Sequence, residues 1–103
     1  MQLYAHWYII IMEFEWDINK EANNIKKHGL TFTIAAKLLM HWRYEVRSDR
    51  QGEVRYLATS ELEGRIISVV YTRRGDKYRI ISARKASKNE KAAYRKHCDL
   101  SHA

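Results

Sequence analysis

An α+β domain is the fold that this 103-residue chain predicts. It has two N-terminal helices and a C-terminal helix packed with an antiparallel sheet of about four strands. Three observations carry the prediction. Capping residues and apolar positions at helical spacing occupy residues 17–40. Alternating, β-prone runs separated by turn residues fill residues 43–84. A Ser-x-x-Glu box at Ser87–Glu90 then opens one more helix. Helices first, a meander next and a closing helix last give a sheet with helices laid against it.

Taken in order, "EFEW" (13–16) alternates and reads as a short strand. Asp17 can accept from the free amides of a helix running from about Ile18 to His28, with Ile18, Ala22 and Ile25 as its apolar face. Gly29 closes that helix as a left-handed cap. Thr31 caps a second helix, about Phe32 to Met40, whose Ile34, Ala35, Leu38 and Leu39 suit burial; Trp16 and Phe32 also read as core. Strands follow at about 43–48, 53–61, 65–72 and 77–84, with Gly75 supplying the positive φ of the last hairpin. On the closing helix only Ala92, Ala93 and Tyr94 are candidates to touch the body, which predicts a weakly anchored, basic helix.

Composition bounds the rest. The length fits one domain, read as residues 12–97, with 98–103 as a tail. The apolar stretch 1–11 is too short to cross a membrane and lacks the basic start of a signal peptide. It reads as an upstream extension before a start at Met12, or as an added edge strand. A single cysteine, Cys98, excludes an internal disulfide and a cysteine-based zinc site, and fits a reducing compartment. The net charge of +7 is not spread evenly. Between Arg73 and Lys96 stand ten basic residues against two acidic ones, a net of +8, while the remainder nets −1. Solubility alone does not require that concentration; binding to phosphates does.

The stretches "FEWDINKEANNIKKHGLTF", "GEVRY" and "YTRRGDKYRIISARKASKNEKAAY" together resemble the BrnT toxins of bacterial type II toxin–antitoxin systems, from about Phe14 to Tyr94. The resemblance implies a fold like that of the RelE ribonucleases and an RNA-cleaving toxin of the bacterial cytoplasm that blocks translation. It also implies a ribbon-helix-helix antitoxin, BrnA, as partner. Operator DNA would be read only through the antitoxin complex, in which the toxin is a candidate dimer. Arg73 stands where the family carries an acidic residue after the threonine of the turn, so no role for a turn carboxylate carries over.

Metal-free cleavage of RNA needs a base for the ribose 2′-hydroxyl proton, cations for the dianionic phosphorane and an acid for the leaving oxygen. No phosphate-cradling glycine loop and no closely spaced Asp/Glu/His ligand set is present, so no metal or other cofactor is expected. Arg55, Arg79 and Arg84 are the candidate phosphate-holding groups, because a guanidinium can donate to two phosphate oxygens and stays charged. Arg79, inside an apolar strand, is either a phosphate ligand or a structural partner of Glu53 or another acid. Arg79 and Arg84 have opposite parity, so one site can use both only if the strand ends or bulges near Ser82 or Ala83. Glu53 is a candidate base or, more in keeping with nearby cations, an orienter of an arginine. His28 is a proton shuttle or a helix-terminal cap. Lys26, Lys27, Arg74, Lys85 and Lys88 extend the basic surface. Tyr71 and Tyr94 either stack on bases or belong to the core.

Overall fold

A computed structural model describes residues 12–102. The elements are β1 (Glu13–Trp16), α1 (Ile18–His28), α2 (Phe32–Leu39), β2 (Tyr44–Arg47), β3 (Tyr56–Leu62), β4 (Arg65–Arg74), β5 (Lys77–Lys85) and α3 (Lys88–His102). Both readings of residues 1–11 fall outside the described residues. Helix α3 runs on past residue 97, where the tail was expected to begin.

Local chemistry sets the helix ends where the sequence places them. Asp17 accepts from the N–H groups of Asn19 and Lys20 at 2.7 and 3.1 Å. Gly29 adopts φ 68° and donates its N–H to the Ile25 carbonyl, a left-handed close that a Cβ would oppose. Thr31 Oγ1 accepts from Ile34 N–H at 3.3 Å. At α3, Glu90 N–H donates to Ser87 Oγ at 3.2 Å while Ser87 N–H donates to Glu90 Oε1 at 2.9 Å. That is the reciprocal capping box.

The sheet has five strands in the order β1-β5-β4-β3-β2. Strands β2 to β5 form the expected antiparallel meander, and β1 joins as a parallel neighbour of β5, with Phe14 beside Tyr78. Two-residue turns close both later hairpins, Glu63–Gly64 and Gly75–Asp76. Strand β3 begins later than predicted. Arg50 and Glu53 exchange backbone hydrogen bonds at 3.0 and 2.9 Å, which spends residues 50–53 on a turn.

One face of the sheet carries the core. Ile67 and Val69 of β4, Ile80 and Ala83 of β5 and Ala58 of β3 pack against Leu30 and against Phe32, Ala35, Leu38 and Leu39 of α2. Phe14 and Trp16 close it from β1, Trp16 meeting Phe32 edge-on at 6.1 Å. Helix α1 departs from expectation. Its apolar stripe does not face the core, Ile18 being 77% and Ile25 42% exposed. The helix instead sits beside β5 beyond the end of β1 and is attached there by a polar residue. Asn24 donates to the carbonyls of Leu30 and Ala83, both at 2.9 Å, and accepts from Ala83 N–H at 3.0 Å. One buried amide takes the place that β1 leaves on the β5 backbone.

The opposite face of the sheet is only half covered. Helix α3 lies over the end holding Tyr44 and Ile66, where Ile66, Ala86 and Tyr94 form a second small cluster joined by Tyr44 and Cys98. His97 stacks on Tyr44 with ring centres 4.2 Å apart, and Tyr94 meets Trp42 at 5.7 Å. The helix is therefore held better than its few alanines predicted, through aromatic rings. The remainder of this face, toward the partly exposed Arg55 and Arg79, lies beyond α3.

Candidate active site

The parity conflict between Arg79 and Arg84 is removed by a bulge. Val70 pairs with Ser82 and Tyr71 with Ile80, so Ile81 has no partner on β4. The extra residue shifts the alternation by one. Arg79 then lies opposite Thr72 and Arg84 opposite Ser68. Thr72 and Ser68 are four residues apart on β4, hence on one face, and partners across a ladder share a face. Both arginines therefore rise from the half-open face.

Each of the three candidate arginines holds a carboxylate. Arg55 Nε donates to Glu53 Oε1 at 2.7 Å and Arg79 Nη1 to Glu15 Oε2 at 2.6 Å. Arg84 is gripped by two parallel bonds, Nη1 to Glu90 Oε1 at 2.8 Å and Nη2 to Oε2 at 2.9 Å. The side chains remain between 21% and 35% exposed, so none is sealed from a ligand. Glu90 does three jobs at once: it caps α3, clamps Arg84 and accepts from Ser68 Oγ at 2.8 Å. Those donors, Arg84 foremost, hold its carboxyl at about 2. Glu53 is likewise held below the usual carboxylate range by Arg55, which weakens it as a base and favours the orienting role.

Three recesses follow one another along the seam between α1 and β5. The first, about 190 Å³, is bounded by Glu53, Arg55, Thr72, Arg74 and Arg79 of the sheet side and by Asp17 and Lys20. The second, about 200 Å³, shares Lys20 and Ile81 with the first and adds Asn23, Lys27, His28 and Ser82. The third, about 400 Å³, shares Lys27 and His28 with the second and is completed by Arg84 and Lys85. Shared walls make the three recesses neighbours along one basic channel-like seam.

That channel gathers Arg55, Arg79, Arg84, His28, Glu53, Lys27, Arg74 and Lys85 of the sequence candidates. Lys26 and Lys88 are exposed but border none of the three recesses. The two tyrosines are corrected by burial. Tyr71 is 3% exposed, its hydroxyl donating to Glu45 at 2.7 Å and accepting from Arg43 at 3.3 Å, and burial pushes its pKa up to about 12. Tyr94 is 8% exposed and anchors α3. Neither ring borders any of the three recesses.

Sequence reasoning overlooked Lys20, Asn23 and Ser82. The spacing of Lys20, Asn23 and Lys27, at i, i+3 and i+7, is the signal that could have found the first two, since it places them on one helix face. Among the described residues no group of three His, Cys, Asp or Glu side chains is placed to hold a metal ion. No described helix is long and apolar enough to cross a membrane.

Comparison with known proteins agrees with this fold. The family model described as "Ribonuclease toxin, BrnT, of type II toxin-antitoxin system" matches residues 16–90. Among solved structures, the crystal structure of the Brucella abortus ribonuclease toxin BrnT is similar at 30% sequence identity and a TM-score of 0.58. The alignment covers 76% of this chain and 100% of that one. No curated protein sequence matches.

Proposed function

The chain belongs to the BrnT family of ribonuclease toxins of type II toxin–antitoxin systems, and from that premise we propose that it cuts RNA internally, without a metal ion, in the channel between α1 and β5. The observation that carries this reading is the set of three adjoining recesses, which collects the cations of the sheet and of α1 on one side of the molecule.

The chemistry is transesterification. The ribose 2′-oxygen forms a bond to phosphorus as its proton leaves, the phosphorane carries two negative charges, and the bond to the 5′-oxygen breaks as that oxygen gains a proton. The products are a 2′,3′-cyclic phosphate and a 5′-hydroxyl. Guanidinium groups held in place before substrate arrives meet phosphate charge without reorganising, and here Glu53, Glu15 and Glu90 hold Arg55, Arg79 and Arg84. A guanidinium has five N–H donors, so pairing with one carboxylate leaves donors for phosphate. Imidazole is the side chain that both gives and takes a proton near neutrality, and His28 borders two of the recesses. Glu53 orients Arg55.

Family membership also supports a wider setting: a toxin that inhibits translation in the bacterial cytoplasm, silenced by a ribbon-helix-helix antitoxin. The complex, with the toxin as a dimer, reaches operator DNA through that antitoxin. A second reading is favoured by the same ion pairs. Arginines that already have partners are what a non-catalytic nucleic-acid or antitoxin clamp would carry.

The deciding experiment incubates the purified, antitoxin-free chain with RNA in EDTA beside Arg84→Ala. Cyclic-phosphate ends made by the wild type and lost in the variant are expected. Intact RNA bound with a steep salt dependence overturns cleavage in favour of the clamp.

A further inference from the structure

The channel is not one pocket, and its two ends differ in chemistry. Arg79 and Arg84 border different recesses with no residue in common. Five steps along the strand separate them, roughly 15 Å between their backbones, several times the width of one phosphate group. Their side chains also lean apart, Arg79 toward Glu15 of β1 and Arg84 toward Glu90 of α3. Between them lies the recess walled by Lys20, Asn23, Lys27 and Ser82.

Charge separates the two ends. The Arg84 recess is bordered by Lys27, Arg84 and Lys85, with a single carboxylate, the Glu90 that clamps Arg84, paired there. The Arg79 recess has Lys20, Arg55, Arg74 and Arg79, but Asp17 and Glu53 stand among them. A dianionic phosphorane gains most from the first, whereas a monoanionic phosphodiester is tolerated in the second. The proton carrier divides the same way. His28 borders the Arg84 recess. The titratable groups of the Arg79 recess include two carboxylates held ionised, Glu53 by Arg55 and Asp17 by the amides of Lys20 and Asn19.

Resting on the ribonuclease reading, we infer that one RNA strand lies along the α1–β5 seam with its scissile phosphate in the Arg84–His28 recess and another phosphate of the same strand in the Arg79 recess. Lys20 and Lys27, on one face of α1, follow the backbone between the two, and the Asn23 amide and Ser82 hydroxyl offer donors to the intervening nucleotide. Arg79 and Lys20 thus position the strand, while Arg84 serves the reacting phosphorus. The substrate is a stretch of RNA long enough to present phosphates to both ends of the channel.

The test compares a dinucleoside monophosphate, which carries only the scissile phosphate, with a hexanucleotide. Wild type, Arg84→Ala, Arg79→Ala and Lys20→Ala are assayed for kcat and KM on each. Arg84→Ala is expected to lower kcat on both substrates. For Lys20→Ala, whose side chain is exposed and makes no ion pair with a described residue, the defect should lie in KM and grow about tenfold from the short substrate to the long one, as expected for one charge-assisted contact. It also guards against a folding defect in Arg79→Ala, which leaves Glu15 unpaired. Equal losses at both lengths for all three variants overturn the two-phosphate register and leave the ribonuclease standing. No cleavage of either substrate by the wild type overturns both. Affinity for uncleavable 2′-O-methyl versions gives a second reading of the length step, and a step untouched by Lys20→Ala and Arg79→Ala also overturns the register.

Discussion

On one face of the sheet, the side chains of Phe32, Leu38, Ile67, Val69 and Ile80 pack in one apolar cluster and are almost wholly removed from water. On the other, Arg55, Arg79 and Arg84 each meet a carboxylate and stay partly wet. The two regions do different physical work. Apolar burial gains free energy in proportion to area and asks little of exact partners, so it carries stability. A half-exposed ion pair gains little, because water and salt compete for both charges. What it provides is orientation. The cations of the seam are fixed in place yet cheap to share, which suits a surface that must receive phosphate.

Phe32→Ala should break that division hardest. Its ring is fully buried against Trp16 and the sheet, and its removal is expected to cost about 3–5 kcal/mol of unfolding free energy. Urea unfolding measures this, and a loss under about 1 kcal/mol would show that the packed face is not where stability resides. Arg84→Ala should behave in the opposite sense. Turnover is expected to fall by about 10² to 10³, while stability changes by no more than about 1 kcal/mol, since Glu90 keeps its bonds from Ser68 and Ser87. A large stability loss with turnover preserved would make the pair a structural clamp.

Asn24 joins the two regions, being buried like the core and polar like the seam. Asn24→Ala leaves the N–H and carbonyl of Ala83 and the carbonyl of Leu30 without this partner. A loss of about 2–3 kcal/mol is expected, together with weaker RNA binding as α1 loosens from β5. Denaturant unfolding and a filter-binding titration on the same sample check both halves.

A smaller effect comes from protons. In the folded chain Glu90 titrates at about 2, below its ordinary 4.5, chiefly because Arg84 stabilises the ionised form. A group whose folded pKa is depressed contributes stability that is complete above the ordinary value and is lost as pH falls through the folded one. Stability should therefore decline between about pH 4.5 and 2, and Glu90→Gln should flatten that decline. An unchanged pH profile in Glu90→Gln would mean that the clamp contributes nothing to the fold.

How much of this was legible beforehand depended on how local each cause was. The caps at Asp17, Thr31 and Ser87, the left-handed close at Gly29 and the burial of Ala35, Leu38 and Leu39 in α2 depend on neighbours within a few positions, and all are where the sequence places them. The stripe Ile18–Ala22–Ile25 misled because periodicity reveals that a helix has an apolar side, not which side its surroundings touch. Asn24, a residue with no hydrophobic signal, decides that orientation through β5 residues far along the chain. The conflict between Arg79 and Arg84 was visible as a problem of parity, and it pointed to a bulge without placing it at Ile81. Glu15 could not be chosen as the partner of Arg79, because 64 residues separate them and only the parallel pairing of β1 brings them together. The burial of Tyr71 and Tyr94 was equally nonlocal.

Two adjacent lysines give the finest test of where the channel lies. Lys26 and Lys27 carry the same charge on the same helix and are both exposed, yet only Lys27 borders the recesses that meet Arg84 and Ser82. One helical position turns a side chain by about 100°, enough to carry it from the wall of the channel to open solvent. Each phosphate contact contributes about 0.7 to the slope of log affinity against log salt for a single strand. Lys27→Ala should lower that slope by about 0.7, and Lys26→Ala should leave it near the wild-type value. Equal slopes in the two variants would mean that RNA responds to the overall charge of α1, and the seam would lose its claim to be a track for the strand.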